Sequence, residues 1–339
     1  MMLLNVKDLS LSLKKNGKYA TILDQISFHV EKGETVGIVG ESGCGKSMTA
    51  LSLMRLLPEK ARLKGEINLQ QENIVKYSKR KLEKIRGNQV SMIFQDPLTS
   101  LNPLQTVGTQ IEESLILHRN MTKEERRARV LNLLNAVGLP RAEELINEYP
   151  HQLSGGMRQR VMIAIAMACE PLLLICDEPT TALDVTIQAQ ILELMSEIKR
   201  QTQMGIIMIT HDMGVVAEVC DRVIVMYAGK IVEEGPVVEL FQNPTHPYTI
   251  GLLDSIPKLG QRKQKLGSIP GTVPAPGNMP AGCRFAERCS HTMDICRTTV
   301  PPLFDIKPNH HSACWLYDEK GGDQDGVVRS DELETALHN

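Results

Sequence analysis

Strand and helix patterns alternate along this chain and predict an α/β fold with a mostly parallel core sheet. Three observations carry that expectation. Short, apolar, β-branched runs suit strands buried on both faces. A glycine loop stands between one such run and a helix. A helical stretch near 96–169 is inserted between two of the runs.

The elements follow in order. Met1 to Ser10 alternates as a strand does and soon meets Lys7 and Asp8, so it is no secretory leader. That places the chain in the cytosol and makes its cysteines reduced thiols or metal ligands rather than disulfides. Thr35–Val39 is a buried strand, Gly40–Gly45 a loop, and Ser47–Leu57 a helix closed by Pro58. Beyond Pro97, Val130, Leu133, Leu134 and Val137 repeat at helical spacing until Gly138. The longest apolar run, Val161–Cys169, is cut by Glu170 and Pro171, well short of the roughly 18–20 residues a membrane span needs. Leu172–Cys176 is again a strand, Ile187, Ile191, Leu194 and Ile198 mark an amphipathic helix, and Ile206–Thr210 is a further strand. From Pro236 proline and glycine become dense, and from about Asp318 the sequence is acidic and weakly patterned. The expected units are a core of 1–95 with 170–235, a helical unit of 96–169, an extension of 236–318 and a flexible tail of 319–339.

Composition narrows the function classes. The 339 residues are 42% apolar and 23% charged, an ordinary globular balance. A formal net charge of -2 gives no bulk electrostatic drive toward nucleic acid, which is not expected as a partner. The basic runs at Lys79–Lys81 and Arg126–Arg129 read as solvated helix faces.

The chemistry begins at Gly40-Glu41-Ser42-Gly43-Cys44-Gly45-Lys46-Ser47, which fits G-x-x-x-x-G-K-[ST]. Glycines let backbone N–H groups turn inward around phosphate oxygens, and the following helix points its positive end at the same anion. Lys46 reaches the β- and γ-phosphates of a nucleotide, and Ser47 holds Mg²⁺. A glycine turn with an incidental lysine would lack the strand before it and the helix after it. Cys44 lies just before the helix N-terminus, a place that lowers a thiol pKa and predicts a reactive, nucleotide-protected cysteine. A second apolar strand delivers Asp177 toward the metal and Glu178 toward the attacking water.

At Leu153-Ser154-Gly155-Gly156-Met157-Arg158-Gln159-Arg160 the pattern becomes specific. It resembles the signature of the ABC ATPase superfamily, and the other motifs follow in that family's order over about residues 3–235. The resemblance implies an ABC-type P-loop NTPase that hydrolyses ATP with Mg²⁺, with an antiparallel β subdomain and a helical subdomain beside the core. It implies that Gln95 is the glutamine-loop residue touching Mg²⁺ and water, that Ala182-Leu183-Asp184 is the loop after the catalytic glutamate, and that His211 is the switch histidine at the γ-phosphate. Tyr19 stands where an aromatic stacks on adenine in relatives. The Ser154–Gly156 turn opens a helix, Met157–Ala168, and is a second anion-binding helix start. In the family two such chains meet head to tail, so that Leu153, Ser154, Gly155, Gly156 and Met157 act on the partner's ATP.

Two later segments narrow the resemblance. Asn243-Pro244-Thr245-His246-Pro247-Tyr248-Thr249, and the stretch from Gln95 to Pro103, are similar to ATPases of oligopeptide and dipeptide importers. That implies two permease subunits, a second ATPase (a paralogue or a second copy), a solute-binding protein, and a place on the cytoplasmic face of the membrane. Nickel, metal-chelate and glutathione importers fit the same broad group. A soluble ABC ATPase working on nucleic acid or ribosomes fits less well, since this chain has one phosphate loop and no sustained heptads. A nucleotide sensor would have lost Glu178 or His211. Cys283, Cys289, Cys296 and Cys314 do not have C-x-x-C zinc spacing. They resemble the cysteine-rich tail of peptide-importer ATPases, which binds a four-iron, four-sulfur (4Fe-4S) cluster. Zinc or unliganded thiols are the alternatives, and the role expected is structural.

Overall fold

The computed structural model describes residues 1–15, 17–96, 100–179, 185–256 and 269–318. The chain opens with a long hairpin, β1 (Met2–Lys15) and β2 (Lys18–Glu31). The buried strand β3 (Thr35–Val39) and helix α1 (Lys46–Leu53) follow, then β4 (Arg62–Leu69) and β5 (Glu72–Asn73). The first sheet runs β2-β1-β4-β5 and is antiparallel throughout.

Helix α2 (Lys79–Ile85) and strand β6 (Val90–Ile93) lead into the helical unit. Its helices are α3 (Val107–His118), α4 (Lys123–Ala136), the short α5 (Ala142–Leu145) and α6 (Gly155–Met167). Thr122 opens α4 with a capping box: its hydroxyl accepts from the N–H of Glu125, whose carboxylate accepts from the N–H of Thr122. Val130, Leu133 and Leu134 then face the apolar interior, as their spacing predicts.

The chain returns to the core through β7 (Leu173–Asp177), α7 (Val185–Thr202), β8 (Gly205–Ile209), α8 (Met213–Val219), β9 (Arg222–Tyr227) and β10 (Lys230–Pro236). Strands β9-β3-β8-β7-β6 lie side by side, all parallel. Every residue of β3, β7, β8 and β9 is buried, which is why β3, β7 and β8 read as short apolar runs; β9, which opens on Arg222, escapes sequence reasoning.

Two expectations are adjusted. Helix α1 stops at Leu53 rather than running to Leu57, because Arg55 takes a left-handed φ of 54°. Arg86 caps the end from outside, donating to the carbonyls of Met54 and Arg55 at 2.9 and 2.8 Å. The extension is also less loop-like than its prolines suggest. It carries α9 (Val237–Gln242), α10 (Pro247–Asp254), α11 (Asp294–Thr298), β11 (Phe304–Lys307) and β12 (His310–Ser312). Strand β12 pairs with β10, so the extension lengthens the main sheet. At four and three residues, β11 and β12 are too short for a periodic pattern to single them out.

No helix among the described residues is long and apolar enough to cross a membrane. The tail at 319–339 lies outside the described residues.

Candidate functional site

The phosphate loop joins the end of β3 to α1. Gly40, Gly43 and Gly45 have φ of 147°, 81° and 113°, values that side chains resist. Space reinforces that demand at Gly40, where a Cβ would stand 2.2 Å from the carbonyl oxygen of Met226. Lys46 is buried, and its Nζ donates to the carbonyls of Gly40 at 2.6 Å and Glu41 at 3.2 Å. The loop therefore folds its own cation over the space an anion would take. Ser42 and Gly43 are exposed at its rim.

Ser47 and Asp177 meet at the head of the parallel sheet, the hydroxyl donating to the carboxylate at 3.1 Å. Burial raises the pKa of Asp177; the bond from Ser47 lowers it, Glu178 raises it and Lys46 lowers it. A buried carboxylate beside a hydroxyl is a donor set that suits a hard divalent cation. Glu178 takes a left-handed φ of 50°, and its N–H donates to the carbonyl of Ile209 at 2.8 Å. A strained backbone of this kind is characteristic of working sites. Gln95 and His211, among the described residues, converge on its carboxylate. Gln95 donates from Nε2 at 2.9 Å, and Nδ1 of His211 stands at 3.3 Å. Three strand ends, of β6, β7 and β8, thus bring Gln95, Asp177, Glu178 and His211 to one edge. Asp212 follows His211 and caps α8, accepting from the N–H groups of Gly214 and Val215.

The signature lies elsewhere on the surface. Ser154 caps α6, its hydroxyl accepting from the N–H of Met157 at 3.3 Å. Ser154 and Gly155 are exposed, Leu153 is buried and Met157 half-buried. Gln159 in α6 donates to the carbonyl of Pro179, so the signature helix is tied to the end of the strand that carries Glu178. Ala182, Leu183 and Asp184 lie outside the described residues.

Tyr19 sits on β2, whose Leu23 would meet a Cβ at Gly45 at 2.8 Å. Its ring is covered by the guanidinium of Arg62, 3.6 Å from the ring centre. Cys44 departs from expectation. It is fully buried, and burial raises its pKa, outweighing the lowering by Lys46. A helix N-terminus cannot activate a thiol enclosed against Gly40.

The four cysteines of the extension are neighbours. A charge on Cys296 opposes ionisation of Cys283, Cys289 and Cys314, one on Cys289 opposes that of Cys283 and Cys314, and one on Cys283 opposes that of Cys314. Burial pushes Cys283 up to about 11 and Cys314 up to about 12. Among the described residues, however, no group of three or more His, Cys, Asp or Glu side chains is closed around a point that could hold a metal ion.

Sequence reasoning missed several partners. Glu233 is fully buried and accepts from the N–H and hydroxyl of Thr245, both at 2.8 Å, from the N–H of His246 at 3.0 Å, and pairs with His310 at 2.8 Å. Burial alone would raise its pKa, but these bonds prevail and hold it below the ordinary carboxylate range. Arg288 and Tyr248 reach Glu41 in the phosphate loop. The Thr245–Tyr248 segment stood out in the sequence, but only as a likeness and without a contact to explain it.

Comparison with known proteins places the chain in a family. Residues 23–181 match the ABC transporter family, and residues 232–296 match the oligopeptide/dipeptide transporter C-terminal region. The oligopeptide transport ATP-binding protein AppD of Bacillus subtilis is 52% identical over 95% of this chain and 99% of its own length. The oligopeptide transport ATP-binding protein OppD of Escherichia coli is 49% identical over 92% of this chain and 93% of its own. Among solved structures, a bacterial ABC transporter cassette in dimeric form matches with a TM-score of 0.63 and 30% identity, over 69% of this chain and 99% of that one. The same cassette has been solved as a post-hydrolysis dimer bound to ADP and Pi, again with a TM-score of 0.63 and 29% identity.

Proposed function

This chain belongs to the ABC transporter ATP-binding family, in its oligopeptide and dipeptide branch, and from that premise we propose that it hydrolyses ATP to drive uptake of di- and oligopeptides through permease subunits in the membrane. The convergence of Lys46, Ser47, Asp177, Glu178, Gln95 and His211 at one sheet edge carries the reading.

In the proposed cycle Lys46 leaves the carbonyls of Gly40 and Glu41 for the phosphates of ATP, and the loop N–H groups cradle them. Ser47 and Asp177 would hold Mg²⁺, with Gln95 at its water shell; the ion, when bound, neutralises charge on the phosphate oxygens. Glu178 orients and deprotonates the attacking water, while His211 steadies its carboxylate and contacts the γ-phosphate. Tyr19 would give up Arg62 and stack on adenine. The Ser154–Met157 turn, exposed at Ser154 and Gly155, completes the ATP site of a second ATPase, a paralogue or another copy. The assembly works at the cytoplasmic face with two permeases and a solute-binding protein.

For the cysteine segment, the inferred role is to hold a 4Fe-4S cluster on Cys283, Cys289, Cys296 and Cys314. Their mutual proximity supports this. Iron and sulfide analysis with visible absorption on anaerobically purified protein tests it; zinc or no metal would refute it.

The functional test is uptake of a labelled tripeptide by cells lacking this gene. Complementation by the wild-type gene and none by Glu178→Gln is expected. Unimpaired peptide uptake in the deletion, with loss of nickel, metal-chelate or glutathione uptake instead, would overturn the substrate assignment.

A further inference from the structure

The extension that carries the cysteines also grips the phosphate loop at Glu41. The N–H of Glu41 donates to the hydroxyl of Tyr248 at 2.7 Å. Its carboxylate receives both Nη atoms of Arg288, at 2.6 and 3.0 Å. Arg288 spends its other donors on its surroundings: Nε on the carbonyl of Pro270 at 2.7 Å, and the Nη groups on the hydroxyl of Tyr227 and the carbonyl of Ile269, both at 3.3 Å. All the N–H donors of a guanidinium are thereby used, in a fork that lysine cannot reproduce.

The grip is rigid. The side chain of Arg288 is only 5% exposed. Its bonds to Glu41 hold its pKa above the ordinary value against the opposing effect of burial. Tyr248 is fully buried, with its ring edge-on to Tyr227 at 4.7 Å and tilted against Phe285 at 5.4 Å. From the inner side, the carbonyl of Glu41 accepts from Nζ of Lys46 and from the N–H of Cys44, each at 3.2 Å. One residue therefore links the extension to the cation that must meet phosphate.

We propose that Tyr248 and Arg288 are positioning residues for nucleotide binding, holding Glu41 so that the phosphate loop and the resting place of Lys46 keep a receptive shape. The proposal rests on the reading of this loop as an ATP site. It makes the extension a working support of that site.

The test is titration of the full-length chain with a fluorescent ATP analogue in Mg²⁺, together with melting of the nucleotide-free protein. Tyr248→Phe removes one hydroxyl and keeps the ring, so affinity is expected to fall about three- to tenfold, the worth of one net hydrogen bond. Arg288→Lys keeps charge but loses the fork, with a fall of about tenfold. A structural defect alone would not couple the partners, so Glu41→Ala and Arg288→Ala are also combined. The double variant is expected to bind no more weakly than the poorer single one. Multiplying losses, or wild-type affinity in Tyr248→Phe and Arg288→Lys, would overturn the proposal. Lys46→Ala separates the two readings: if it binds nucleotide as the wild type does, the ATP site itself is misassigned.

Discussion

The two glycine turns proposed to meet phosphate are built in opposite ways. The phosphate loop is closed along its base, with Ser42 and Gly43 exposed at the rim: Met226 crowds Gly40, Leu23 crowds Gly45, and Tyr248 and Arg288 hold Glu41 from behind. The signature turn is open. Gly155 is exposed, and a Cβ added there would meet nothing within 4 Å. Both start helices, and a helix start offers free N–H groups that suit an anion. The difference teaches that one turn is finished by its own chain, whereas the other presents an unfinished surface to something else. A composite pocket shared by two chains accounts for both.

The largest effect expected is at Glu178. Glu178→Gln keeps the shape but removes the base, so ATP turnover of the assembled transporter should fall about 10²- to 10⁴-fold. Nucleotide affinity should stay near wild type, because the closed loop does the binding. Turnover within twofold of wild type would remove Glu178 from the role given it.

Acid should separate the support of the closed turn from the open one. His246 accepts from the N–H of Tyr248 at 3.1 Å, and burial lowers its pKa to about 4. A depressed folded pKa means that the unfolded chain takes up the proton first. Stability is whole above the unfolded value of about 6.5 and is lost as pH falls toward about 4, by roughly 3 kcal/mol. Glu233, also held low, extends the loss further into acid. The single tryptophan, Trp315, lies in the extension and reports it directly. Denaturant unfolding followed by its fluorescence should weaken across that window; a flat profile would remove the buried neutral His246 from the account.

The smallest effects compare the turns themselves. Gly40→Ala forces a side chain into a left-handed position against a carbonyl and should cost about 1–3 kcal/mol. Gly155→Ala enters open space at a helix start and should change stability by no more than about 0.5 kcal/mol. Equal costs in thermal melts would erase the distinction between closed and open.

Much of this site was legible in the sequence because its letters are fixed by backbone geometry. Glycines at 40, 43 and 45 are demanded by positive φ, and Lys46, Ser47 and Asp177 by phosphate and cation chemistry. Most of the parallel core was legible for a related reason: strands covered on both faces leave short apolar runs. What did not show were partnerships across long chain separations. Glu41 and Arg288 stand 247 residues apart, and Glu233 and His310 stand 77 apart. No local pattern marks a buried pair whose members belong to different elements. Cys44 misled because helix position, readable locally, competes with burial, which is not.

One measurement goes to the centre of the account: ATP turnover per chain for this subunit held strictly monomeric, set beside the same subunit assembled with its ATPase and permease partners. The open signature turn predicts that the monomer binds nucleotide yet turns it over at least tenfold more slowly than the assembly. Equal rates in the two states would contradict a pocket completed by a second chain.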